Sequence, residues 1–115
     1  MRRLLPLLLG ILLFAATAAL AQSDWTVMVY LAADNDLEDC AIDDFLEMAQ
    51  VGSNDDLKIV VLLDRTPGYD DRYNNWTDTR RGLVMAGDTP GSTWGTSLGE
   101  KNTGAAATVS EFANW

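Results

Sequence analysis

The sequence contains no histidine and a single cysteine, Cys40, in 115 residues. Without histidine the commonest general base is missing, so self-contained nucleophilic catalysis by a cysteine or serine is hard to assemble within this chain. One cysteine forms no internal disulfide, which excludes a disulfide-framed small domain. Positive charge is scarce as well: 8 Lys and Arg stand against 17 Asp and Glu, a net charge of −9. That balance disfavours nucleic acid and anionic membrane surfaces as partners. It suits a cationic ligand, and equally the solubility of an exported protein.

Residues 1–21 read as a secretory signal peptide. Arg2 and Arg3 form the charged start, residues 4–13 the apolar centre, and Ala19-Leu20-Ala21 a small-x-small cleavage site. A membrane-spanning helix is the competing reading, against which stand Pro6, Gly10 and the alanine-rich end. No cysteine follows closely enough for a lipoprotein anchor. Cleavage leaves 94 residues from Gln22 onward, with six basic against 17 acidic groups and a net charge of −11. The expected location is secreted or periplasmic, with no stable membrane anchor. Residues 22–115 suffice for one small domain but are short for a doubly wound sheet with all its helices.

Residues 25–33 are apolar at nearly every position, which predicts a strand buried on both faces in the centre of a parallel sheet. Asp34, Asn35 and Asp36 follow it, on the rim where open α/β sheets bind ligands. Residues 37–51 read as a helix with Leu37, Ala41, Phe45 and Met48 on one stripe, Asp36 as N-cap and Gly52 as stop. Cys40 borders that stripe and reads as a packing residue. Residues 57–63 predict a second apolar strand ending at Asp64, completing a βαβ unit. If the two strands are neighbours, Asp34, Asp36 and Asp64 share one rim.

Residues 65–81 read as an exposed loop. It holds an Asn75-Trp76-Thr77 sequon, and Arg80-Arg81 reads as a solvated pair at a strand entrance. Residues 82–86 predict a short third strand, 88–102 a polar segment, and 105–115 a helix with Val109, Phe112 and Ala113 on its apolar face and Asn102 or Thr103 near its cap. The helical pattern meets no stop signal by Trp115, so the domain reads as cut short.

The chemistry of the first strand's end is acidic. Rossmann and P-loop turns need glycine for the backbone to approach phosphate, and residues 32–36 contain none. Asp34, Asp36 and Asp64 are hard oxygen ligands suited to magnesium or calcium, or else a helix cap and solvated loop residues. Asp34-Asn35-Asp36 matches the Asp-x-Asp of haloacid-type phosphatases, but Glu38 stands where those enzymes carry Thr or Ser.

Trp25-Thr26-Val27-Met28-Val29-Tyr30-Leu31-Ala32-Ala33-Asp34-Asn35-Asp36-Leu37-Glu38, with Ile42-Asp43-Asp44-Phe45-Leu46-Glu47-Met48 and Val51-Gly52-Ser53, resembles the amino-terminal segment of clostripain-like cysteine peptidases. Residues 57–65, ending in Asp-Arg, resemble that family's second strand, and residues 98–104 and 109–115 its segment before the catalytic region. The resemblance implies a three-layer, caspase-like α/β fold with a mainly parallel sheet, incomplete in this chain. It also implies a cysteine endopeptidase cutting after Arg or Lys, with self-processing and a response to calcium in several members.

The family's base is the histidine of a His-Gly pair, and its nucleophile is a cysteine on a following strand. Both are expected beyond Trp115, so no catalytic residue is assigned here and Cys40 inherits no role. The resemblance places Asp34, Asn35 and Asp36 beside the pocket for the substrate residue before the cut, where a carboxylate attracts arginine. The expected partner is a protein or peptide substrate bearing Arg or Lys. No cofactor is assigned beyond calcium as a candidate. The alternative from another class is a non-catalytic secreted α/β module that binds calcium or a basic partner through the acidic rim.

Overall fold

A computed structural model describes residues 22–115, and the expected signal peptide lies outside the described residues. The elements run β1 (Trp25–Ala33), α1 (Glu38–Val51), β2 (Leu57–Arg65), a single turn at Tyr73–Asn75, β3 (Thr79–Leu83), β4 (Thr96–Ser97) and α2 (Ala106–Ala113). The four strands form one open sheet in the order β1-β2-β3-β4. β1 and β2 are parallel, with Trp25 opposite Leu57 and Ala33 opposite Arg65. The β2–β3 and β3–β4 pairs are antiparallel, so the architecture is α/β with a mixed sheet rather than a mainly parallel one. Among the described residues, no helix is long and apolar enough to cross a membrane.

Strand periodicity divides the apolar residues between two faces. Ile59, Val61 and Leu63 of β2 meet Ala41, Ile42, Phe45 and Ala49 of α1, while Val60 and Leu62 meet Phe112 of α2 on the opposite face. The α1 residues recur at helical spacing and form one buried stripe. Each Ile, Leu or Phe buried in this way stabilises the fold by about 1.5–3 kcal/mol. Trp94 closes the α1 side, with its ring edge-on to Phe45 at 4.7 Å between centroids and Nε1 donating to the Leu83 carbonyl.

Several expectations need correction. β2, not β1, is the strand buried on both faces. β1 is at the sheet edge, with Trp25 72%, Val27 46% and Met28 41% exposed. The third strand begins at Thr79 instead of Gly82 and takes in Arg80 and Arg81, which are half-buried and lie over the rings of Trp76 and Trp115. Stacking on indole gives these two cations a place in a strand that a polar pattern alone assigns to a loop. The polar segment after it contains β4.

In α1, Leu37 is exposed and Glu38 is fully buried, so the stripe is rotated from the expected one. Cys40 is exposed and does not pack. Asp36 makes no cap. Instead Asn35 organises the turn, its Oδ1 accepting from the Leu37 amide at 2.9 Å and its Nδ2 donating to the Ala32 carbonyl at 2.8 Å. α2 has no side-chain cap from Asn102 or Thr103, and Val109 is exposed. Gly52 does end α1, with φ 70° and so little room that a Cβ there would collide with the Ala86 backbone.

Candidate functional site

The carboxyl end of β1 and the segment after β4 enclose an open cavity of about 500 Å³. It is lined by Ala32, Asp34, Asn35 and residues 100–104. Register explains how this site is built. Ala32 pairs with Asp64, and Asp64 pairs with Thr79, so the three share the α2 face of the sheet. The alanine leaves space above β1, while the threonine supplies a hydroxyl, and Thr79 Oγ1 donates to Asp64 Oδ1 at 2.7 Å.

Asp64 is fully buried and carries the segment that walls the cavity. Thr103 Oγ1 donates to its Oδ2 at 2.7 Å, and the Lys101 amide donates to Thr79 Oγ1 at 3.1 Å. Tyr30 adds a third tie, its hydroxyl donating to the Thr103 carbonyl at 3.0 Å. These bonds bring Glu100 over the rim. Oxygens of Asp34, Asp64 and Glu100 all lie within 4.8 Å of one another.

The electrostatics follow from that crowding. Burial raises the Asp64 pKa above its ordinary 3.8. The two threonine hydrogen bonds offset part of this, and Asp34 and Asp78 add to it. Glu100 is raised as well, first by burial and then by Asp64, Asp34 and Asp78. Carboxylates held this close gain from any cation that enters. The nearest lysine does not fill that role, because Lys101 Nζ pairs with Glu111 at 3.2 Å.

Of the expected rim residues, Asp34 and Asn35 line the cavity and Asp64 lies beneath it, whereas Asp36 lines none of it. Glu100 takes the place expected for Asp36. Nothing near Glu100 in sequence marks it, because its proximity to Asp64 depends on the β2–β3 pairing and the threonine ties.

A second polar cluster lies under the α1 face. Arg65 Nε donates to Glu38 Oε1 at 2.6 Å, and its two terminal nitrogens donate to the carbonyls of Arg72 and Asp70. Its guanidinium stacks on Trp76 at 5.1 Å. Arg72 bridges Asp70 and Asp43 and lowers the Asp70 pKa, chiefly through its side-chain hydrogen bond. Among the described residues every buried side-chain donor and acceptor is engaged, so the cluster ties Asp70 and Arg72 to the helix start as a structural clamp.

Cys40 faces solvent on α1. Asp39 raises its thiol pKa, by charge and by a hydrogen bond, which opposes formation of the thiolate. No protein-family model matches this chain, and no curated protein matches it.

Proposed function

We propose that this chain is the amino-terminal part of an exported cysteine endopeptidase resembling clostripain, cutting after Arg or Lys within a caspase-like fold. The observation that carries this reading is the acidic cavity at the carboxyl end of the parallel pair. Asp34 and Glu100 open into a space of about 500 Å³ with the buried carboxylate of Asp64 behind them. A guanidinium entering it donates two-pronged hydrogen bonds to carboxylates, which a point-like ammonium matches less well. Asn35 holds the turn that presents Asp34. The resemblance of residues 25–38 to the family supports the same reading.

In this reading the nucleophile and its base come from polypeptide beyond Trp115. The chain itself has no histidine, and its one thiol is exposed and disfavoured as a thiolate. Residues 1–115 alone are therefore inactive. The test is to express the full-length polypeptide and assay peptides with Arg, Lys or a neutral residue before the scissile bond. Cleavage after Arg and Lys, lost on thiol alkylation in a Cys40→Ser background, is the expected result. Indifference to the basic residue, or to alkylation, overturns the proposal.

The convergence of Asp34, Asp64 and Glu100 also favours a second reading, a non-catalytic module binding calcium. The donors are of the right type, but both Asp64 oxygens already accept from threonine, leaving Asp34 and Glu100 as the open ligands where calcium takes six to eight oxygens. Calorimetric titration decides it: saturable calcium binding lost in Glu100→Gln supports the module, and no binding removes it.

A further inference from the structure

We propose that Asp64 is a positioning residue: with Thr79, Thr103 and Tyr30 it fixes Glu100 relative to Asp34, and that fixed spacing makes the cavity prefer a guanidinium to an ammonium group. This rests on the reading that the cavity receives a basic side chain, and it adds the residue that sets the choice without touching the ligand.

The place of Asp64 in the sheet suits it to this role. Its carboxylate is fully buried and does not line the cavity, and each oxygen accepts from one threonine, Oδ1 from Thr79 and Oδ2 from Thr103. The two threonines hold the wall on either side of Glu100. Before it, the Thr79 amide donates to the Gly99 carbonyl at 3.0 Å, and the Thr79 carbonyl accepts from the Leu98 amide at 2.8 Å. After it, the Lys101 amide donates to Thr79 Oγ1, and the Thr103 carbonyl accepts from Tyr30, whose ring packs against Phe112 at 5.9 Å. The start of α2 secures the same stretch, with Thr108 Oγ1 donating to the Asn102 carbonyl at 2.8 Å. A backbone fastened on both sides leaves Glu100 only its side-chain rotamers.

Asp34 and Glu100 are the exposed members of the carboxylate group, and both line the cavity. A guanidinium is planar and presents its donors in a rigid fork, so it gains from two acceptors only while their separation is held. An ammonium is a point charge on a flexible stem, and it follows a wall that moves. Loosening the wall therefore costs the guanidinium more. Because an ionised carboxylate taken out of water depends on its donors, loss of the Thr103 hydroxyl disturbs Asp64 and the wall together.

Agmatine and cadaverine are dications of similar length, one ending in a guanidinium and the other in an ammonium. Calorimetric titration of each into the natural full-length polypeptide at neutral pH tests the proposal. The unsubstituted protein is expected to bind agmatine more tightly. Thr103→Val keeps every carboxylate and removes one tie. Agmatine affinity should then fall roughly three- to tenfold, the range of one hydrogen bond, while cadaverine affinity stays within about twofold. Thr103→Ser restores the hydroxyl and should restore the preference. Asp64→Asn removes the charge but still joins both hydroxyls, since a threonine hydroxyl donates or accepts, and should lower both affinities alike with the preference kept. A merely structural role moves both probes together in Thr103→Val. That result, a preference indifferent to Thr103→Val, or no preference for agmatine in the unsubstituted protein overturns the inference. The peptide assay above reads separately: cleavage after Arg with a preference indifferent to Thr103 rejects the positioning role alone, and a preference that depends on Thr103 without cleavage rejects the peptidase alone.

Discussion

Arg65 and Glu38 form an ion pair from which water is excluded, Nε to Oε1 at 2.6 Å with both side chains at 0% exposure. The remaining carboxylate oxygen, Oε2, accepts from the Asp70 amide, so one residue anchors both the end of β2 and the loop after it. Removing one partner leaves the other charge buried and alone. Glu38→Ala is expected to cost about 3–5 kcal/mol in urea unfolding. Arg65→Lys gives little relief, because three separate guanidinium nitrogens are used and an ammonium is a single point.

Stability should peak at mildly acidic pH. Asp70 has a lowered folded pKa, so its contribution is present above its ordinary 3.8 and is lost as pH falls through the folded value. Asp64 has a raised folded pKa, so the folded state holds its proton more tightly and stability declines as pH rises from 3.8 through the folded value. Urea midpoints measured from about pH 3 to 8 should rise and then fall. Thr103→Val removes a hydrogen bond to the ionised Asp64 and should steepen the fall. A profile that rises steadily to neutrality contradicts the assignment.

Under the proposed peptidase reading, Asp34→Ala and Glu100→Ala in the full-length polypeptide should each raise KM for arginyl peptides about tenfold or more, the value of one hydrogen bond to a charged group. Asp36→Ala, outside the cavity, should change KM by no more than a few-fold. Equal effects at all three positions would show that general negative charge, not the cavity, attracts the substrate.

Cys40→Ser should leave both cleavage and stability unchanged. The native thiol should also alkylate more slowly at neutral pH than an unperturbed one, since neighbouring Asp39 opposes the thiolate. Mass spectrometry of iodoacetamide labelling follows this directly.

The β1-α1-β2 unit was readable in the sequence because continuous apolar runs and a helical stripe report local burial. The edge position of β1 was not, since an apolar strand reads the same whether or not its neighbour is present. The start of β3 is not legible, because Arg80 and Arg81 owe their places to Trp76 and Trp115, not to neighbours in sequence. The burial of Glu38 has the same kind of cause: its partner Arg65 is 27 residues away. At the site, Asp34 and Asn35 were marked by the strand end, whereas Glu100 depends on long-range ties through Thr79 and Thr103.

Translating the source DNA in frame past the codon for Trp115 tests the central claim most directly. The account predicts a continuing frame that carries a His-Gly pair and then a cysteine after an apolar strand. A stop codon following Trp115 contradicts it, because a chain without histidine then has neither the base nor the nucleophile that the peptidase requires.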